Sequence, residues 1–314
     1  MSEQSVGDTC RSPREQPVIL VTGAAGQVGF EAVRALEGLG TVIALDRSRL
    51  DLGRLDQVRD LVRETKPALI VNAAAYTAVD RAETDVETAR LINADLPRVL
   101  AEETARLDAL LIHYSTDYVF DGSKDGFYTE SDEPNPLNVY GRTKLAGERA
   151  IVQAGGKNLV FRTSWVYGTR GTNFLLTMRS LAARQAPLRV VSDQLGAPTW
   201  SSTLADLTVS VVQQVLARDP DDMAWWSAHA GVYHMCAGGE TTWAGFAEAI
   251  FAVLGTSPKP EVIPVSSDEY PSPVERPRNS RLSTARLEQV FGLCPPHWRE
   301  ALEACSRCFA ERPD

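Results

Sequence analysis

Tyr140 and Lys144 stand four residues apart in Tyr140-Gly-Arg-Thr-Lys144, a spacing that places two side chains on one helix face, one turn apart. A phenol with a pKa near ~10 is a poor acid–base catalyst at neutral pH. A neighbouring ammonium favours the phenolate and moves the group toward that task. Upstream, Ser115-Thr116-Asp117 closes an apolar run, and a hydroxyl there can hydrogen-bond a substrate carbonyl. Thr116, Tyr140 and Lys144 are therefore candidate catalytic residues for proton transfer at a carbonyl. An incidental YxxxK surface pair is the alternative, and the motifs upstream argue against it.

The first of these motifs is Val21-Thr-Gly23-Ala-Ala25-Gly26-Gln27-Val28-Gly29, between an apolar run and a helical stretch. Glycines there allow a tight turn and close approach of backbone to a pyrophosphate, which the free N–H groups of the helix N-terminus attract. The spacing is GxxGxxG rather than GxGxxG. The second apolar run ends in Leu45-Asp46-Arg47. Asp46 suits the ribose diol of NAD(H), whereas Arg47 suits the 2′-phosphate of NADP(H), so both cofactors stay open. Asp51 and Leu52 lie where the chain can pass an adenine, or form a turn into the next helix. Ala73, Ala74 and Ala75 can let backbone lie against a nicotinamide ribose, or merely ease strand–helix packing. Tyr114 joins this set of cofactor candidates.

These residues need a scaffold that presents them at one edge. Apolar runs at residues 18–21, 42–45, 68–71 and 109–114 alternate with helical periodicity at 27–39, 55–65 and 84–107, with Pro97 expected to kink or restart the last. Strands apolar throughout, alternating with helices, predict an α/β fold with a doubly wound parallel sheet of Rossmann type. Ligands of such sheets sit at the carboxyl ends of the strands. From about residue 187 short strands (188–191, 232–235) mix with helices (202–217, 242–254), and residues 262–279 are proline-dense, which predicts a surface strap. The expected organisation is an N-terminal extension (1–16), a nucleotide-binding domain (17–186) and a smaller C-terminal α/β substrate lobe (187–314), some segments of which return to the first domain.

The chain has 314 residues, 44% hydrophobic and 23% charged, enough apolar material for a core without disulfides or metal. A net charge of −9 argues against a nucleic-acid partner. Apolar runs fall short of a membrane span, and the first 16 residues lack the apolar region of a signal peptide, so a cytoplasmic location is expected. Five scattered cysteines are expected as free thiols. Cys305 and Cys308 have CxxC spacing but stand in a helical stretch without a second pair. His113, inside an apolar run, reads as a core histidine.

The glycine motif and YxxxK together resemble the extended short-chain dehydrogenases/reductases. Within them, Gly26-Gln-Val-Gly29, Val71-Asn-Ala-Ala-Ala-Tyr-Thr-Ala-Val-Asp80, His113-Tyr-Ser-Thr-Asp-Tyr-Val-Phe120, Pro136-Leu-Asn-Val-Tyr-Gly141, Arg162-Thr-Ser-Trp-Val-Tyr167, Asp193-Gln-Leu-Gly-Ala-Pro-Thr199 and Arg276-Pro-Arg-Asn-Ser-Arg-Leu282 resemble the dTDP-4-dehydrorhamnose reductases. The resemblance runs from about residue 18 to 298. It implies reduction by NADPH or NADH of the C4 ketone of a dTDP-sugar, with Tyr140 protonating the alkoxide, Lys144 assisting and Thr116 binding the carbonyl. It further implies substrate contacts at Val79, Asp117, Trp165, Arg276 and Asn279, with plain packing as the alternative for Trp165 and a solvated charge cluster for the arginine-rich strap.

Members of that family are also associated with Mg²⁺ and with dimers formed through glutamates, so a homodimer is a possible state. Glu31 matches one such position. After Thr199, however, this chain reads Trp200-Ser-Ser202, without a carboxylate. That departure puts a Mg²⁺ site in doubt. Glu31 then reads as an ordinary exposed helix residue, and no metal ligand is assigned. Two other functions fit the same scaffold: a non-catalytic regulatory protein resembling the methionine adenosyltransferase beta subunit, and a sugar epimerase or dehydratase. The intact Thr116, Tyr140 and Lys144 favour a reductase.

Overall fold

The computed structural model describes residues 16–182, 186–219, 221–270 and 272–310. The expected N-terminal extension lies outside them except for its last residue, and so does Cys10. Along the first half come β1 (Val18–Thr22), α1 (Gln27–Leu36), β2 (Thr41–Leu45), α2 (Leu55–Thr65), β3 (Leu69–Asn72), α3 (Val79–Ala82), α4 (Val86–Arg90), α5 (Leu96–Leu107), β4 (Leu110–Thr116), α6 (Val139–Ala154) and β5 (Asn158–Thr163). The second half adds α7 (Phe174–Ala182), β6 (Leu188–Val191), α8 (Ser201–Leu216), α9 (Met223–His229), β7 (Gly231–His234), α10 (Trp243–Val253), β8 (Val262–Val265), α11 (Ala285–Phe291) and α12 (Trp298–Ala310).

Six strands form one sheet in the order β7-β5-β4-β3-β1-β2, with every neighbouring pair parallel. The chain steps from β1 to β2 in one direction and returns to β3 on the other side of β1. That reversal opens a crevice at the carboxyl ends of β1 and β3. Alternate side chains feed two layers, as a pleated strand requires. Ile19 and Val21 pack with residues of α1, α8, α9 and α11, while Leu20 and Ile70 pack with residues of α2 and α5. A further core, including Tyr167, Leu175, Phe246, Ile250 and Trp298, fills the space between α7, α10 and α12.

β1 to β4, α1 and α2 fall within a few residues of their expected places. β5 has no counterpart among the expected strands, because Asn158, Arg162 and Thr163 flank and interrupt its apolar run. Two further differences have physical causes. The helical stretch expected over 84–107, with a kink or restart at Pro97, is α4 and α5 joined by a π turn, Leu91–Asp95, in which the Leu96 amide reaches back to Leu91 O. Pro97 has no N–H for Asn93 O, and the wider turn absorbs that loss. The proline-dense segment is not irregular throughout, as expected, because its start is β8, paired in parallel with β6. Pro264 is tolerated there because a two-stranded sheet consists of edges.

Cys236, Cys294, Cys305 and Cys308 are free thiols, and Cys305 is buried in the α7–α10–α12 core. Glu31, expected exposed, is half-buried on α1 beside Cys305. Among the described residues no three of His, Cys, Asp or Glu gather as a metal site requires, and no helix is long and apolar enough to cross a membrane.

Candidate active site

The glycine turn is built against β3. Gly23 has φ of +68°, and a Cβ there would sit 2.7 Å from Ala74 N. A Cβ at Gly29 would sit 2.2 Å from Gly23 O, so both positions need the smallest residue. Gly26 caps α1 without a side-chain hydrogen bond, which leaves the first-turn amides free for an anion. Ala25 and Gly26 are exposed at this mouth. Val28 instead packs against the sheet, and Gln27 Oε1 accepts from Asn173 Nδ2 at 2.8 Å. These two offer the crevice backbone rather than side chain.

At the end of β2, Asp46 Oδ1 accepts from Ser48 Oγ at 2.5 Å and Ser48 N at 2.9 Å, which holds its carboxyl below the usual range. Arg47 beside it is exposed. Asp51 Oδ1 accepts from Gly53 N and Asp51 O from Arg54 N, while Leu52 packs against the core, so this pair forms the turn into α2. Ala74 is buried, with Ala73 and Ala75 half-buried at the end of β3.

Helix α6 carries Tyr140 and Lys144 to the carboxyl end of β4. Asn138 Oδ1 caps it by accepting from Gly141 N at 2.9 Å, and Asn138 Nδ2 donates to Glu275 O at 3.0 Å. A Cβ at Gly141 would sit 2.2 Å from Tyr118 O, so the glycine after Tyr140 lets the helix start lie against that turn. The Tyr140 ring meets Tyr118 edge-on at 5.5 Å.

The expected ammonium–phenol coupling is not what the structure holds. Lys144 is 1% exposed, donates to Tyr114 O at 2.6 Å and lies 3.1 Å from His113 Nε2. Burial pulls its pKa down to about 8, with the Glu148 charge opposing. Burial likewise pushes Tyr140 up to about 12, opposed by the Thr116 hydroxyl and reinforced by the Asp117 charge. Thr116 Oγ1 donates to Asp117 Oδ1 at 2.9 Å. Asp117 is 2% exposed, and burial raises it to about 6, with the Ser280 and Thr116 hydroxyls opposing.

Tyr114 turns its side chain away from this edge, into a 2.6 Å hydrogen bond with Thr208 of α8, and offers only its carbonyl. His113 is buried, as expected of a core histidine, but its ring nitrogens face Asn72 and Lys144. Sequence reasoning missed that connection.

The other wall is shared by the two halves. Trp165 has φ of +49° and stacks on Trp243 with ring centroids 3.7 Å apart. A Cβ at Gly196 would lie 2.6 Å from the Trp165 ring, so that glycine makes room for it. Trp243, another residue the sequence reading missed, also lines a cavity of about 900 Å³ with Asp80, Phe174, Arg189, Arg276 and Arg278. Arg276 bonds Asp80 at 2.7 Å, next to the half-buried Val79 at the start of α3, and lies beside Tyr118. Asn279, expected at the substrate, ties the strap to the loop after β4. Its Nδ2 donates to Lys124 O and Gly126 O, each at 2.7 Å, and its Oδ1 accepts from Arg281.

The sheet order, the glycine turn and the α6 pair at the end of β4 define a Rossmann-type α/β protein of short-chain dehydrogenase/reductase architecture. A family model described as "RmlD substrate binding domain" matches residues 17–310, and the chain belongs to that family. It is 46% identical to a dTDP-4-dehydrorhamnose reductase of Burkholderia thailandensis, over 92% of this chain and 98% of that protein. It is 44% identical to the dTDP-4-dehydrorhamnose reductase of Escherichia coli K12, over 90% and 94%. The crystal structure of dTDP-4-dehydrorhamnose reductase from Bacillus anthracis in complex with NADP superposes with a TM-score of 0.84 at 33% identity, covering 95% of this chain and all of that one.

Proposed function

We propose that this chain is an NAD(P)H-dependent oxidoreductase that reduces the C4 ketone of dTDP-4-dehydro-L-rhamnose to dTDP-L-rhamnose. The observation that carries the reading is the convergence, on one sheet edge, of an uncapped helix N-terminus with Thr116, Tyr140 and Lys144. The near-full-length match to reductases of that name supports it.

The glycine cradle fits a dinucleotide pyrophosphate, since added Cβ atoms would fill the space the backbone needs. The bound nicotinamide supplies the hydride. Thr116 holds the carbonyl oxygen, and Tyr140 protonates the alkoxide that develops there. With its pKa pushed up to about 12 by burial, the Tyr140 phenol carries its proton at neutral pH and has one to give, although as a weak acid. Lys144, one helical turn away on α6, supplies the positive charge of this edge. Asp117, Val79 and the Trp165–Trp243 stack border the sugar, and Arg276 offers a forked donor to the diphosphate once it leaves Asp80. Residues 17–186 supply the cofactor side and residues 187–314 mainly the substrate side, in the cytoplasm.

The test is loss of reduced-nicotinamide absorbance when dTDP-4-dehydro-L-rhamnose is generated in situ, with NADH and NADPH compared. No oxidation with either cofactor overturns the reading.

A further inference from the structure

Thr22, Asn72 and His113 occupy one transverse row of the sheet, as register partners on β1, β3 and β4. Lys144 closes the row from α6, 3.1 Å from His113 Nε2. All four side chains are buried.

The direction of each hydrogen bond follows from its neighbour. The Ala74 amide donates to Thr22 Oγ1 at 3.3 Å, and the Thr22 hydroxyl gives its own proton to Asn72 Oδ1 at 2.6 Å. Asn72 therefore turns its Nδ2 toward His113 Nδ1, 2.9 Å away, and an amide nitrogen only donates. Turning the amide over would set a nitrogen against the Thr22 hydroxyl, which has no other acceptor among the described residues.

His113 Nδ1 is thus the acceptor. Burial keeps the ring neutral, so its single proton sits on Nε2, facing Lys144. An N–H pointed at an ammonium opposes two donors, whereas the same N–H pointed at a free amine makes a hydrogen bond.

Other groups also face Lys144. Glu148 lies one turn further along α6 and favours the charged form, but it is committed to Arg162 of β5 at 2.6 and 2.9 Å. Tyr140 lies one turn earlier, with Asp117 beyond it. The Tyr114 hydroxyl is turned to α8, and only its carbonyl accepts from Nζ. Among these, His113 is the group whose orientation is set from outside the site.

We propose that the Thr22–Asn72–His113 row is a positioning device that weakens the hold of Lys144 on its proton, and so sets the alkaline limit of the site. The proposal deepens the reductase reading and rests on Lys144 acting there as a cation. It links the backbone amide at the end of β3, against which the glycine turn packs, to the charge carried by α6.

Two near-isosteric substitutions test it. Asn72→Asp puts a carboxylate beside Nδ1. That reverses the imidazole, so Nε2 accepts from Lys144 and the ammonium persists to higher pH. Thr22→Val frees the Asn72 amide to turn and should act in the same direction by a smaller step. The readout is the alkaline limb of the kcat–pH profile, with folding checked by circular dichroism. We expect the limb of Asn72→Asp to move up by at least about one pH unit, a tenfold change in proton affinity. Limbs that stay in place or move down in folded variants overturn the proposal. NADPH affinity against pH, measured without substrate, reads the same titration. Should the unaltered protein oxidise no cofactor, the reductase reading fails, and this binding titration still decides the role of the row.

Discussion

At the scale of single residues, the phenol and the buried carboxylate make opposite demands. Tyr140→Phe removes the proton donor without altering the glycine cradle. It should lower kcat by about 10²–10⁴-fold and leave cofactor affinity near its original value, measured by steady-state kinetics and fluorescence titration. Asp117 is ionised at neutral pH against the preference of its surroundings, because burial raises its pKa from 3.8 to about 6. A raised carboxyl binds its proton more tightly in the folded state. Its cost to stability is full above pH 6 and fades as the pH falls toward 4, and about two pKa units set an upper size of about 3 kcal/mol. Asp117→Asn should therefore raise the melting temperature at pH 7, lose that gain near pH 4, and raise KM for the sugar nucleotide. Thr116, Tyr140 and Lys144 were legible because their spacing is local. The Lys144–His113 contact was not, because it joins residues 31 apart across a helix and a strand and leaves no periodic trace.

At the scale of elements, α6 is placed by a second close approach beside the one at Gly141. Asn93 O, freed because Pro97 cannot donate to it, lies where a Cβ at Gly147 would be, 2.2 Å away. Asn93 also donates to Thr143 Oγ1 and to Tyr76 O, and accepts from Tyr76 N, tying the loop after β3 to the same helix. Gly147→Ala should lift α6 from the π turn, destabilise the fold by about 1–3 kcal/mol in chemical denaturation, and lower kcat by displacing Tyr140 and Lys144 together. Pro97 gave a sequence signal for a break, but the π turn that answers it depends on packing against α6. β1 to β4 were legible for the converse reason: burial on both faces writes continuous apolar runs. β5 is just as buried but carries Asn158, Arg162 and Thr163, and β8 carries Pro264, so neither shows that pattern.

At the scale of the whole molecule, sequence order and spatial order part company after residue 187. Leu204, Val211, Trp226 and Tyr233 lie in one core with Ile19, Val21 and Leu36, so the N-terminal sheet is covered on one face by the C-terminal half. A fragment of residues 1–186 should fail to show a cooperative thermal transition by circular dichroism, because that face would stand in water. The two halves also meet at the Trp165–Trp243 stack. Trp243→Ala should raise KM for the sugar nucleotide severalfold with cofactor affinity unchanged, since it removes support from the substrate wall alone.

The position of β7 beside β5 bears on how the protein is made. A nascent chain that has left the ribosome as far as Thr163 carries five strand segments of the sheet, and β5 among them lacks its partner, which lies at Gly231–His234. At roughly 5–20 residues per second, several seconds pass before that partner is translated. Through that interval the exposed strand is a template for any other extended chain nearby, and fewer such encounters are expected when synthesis is fast or a chaperone attends it.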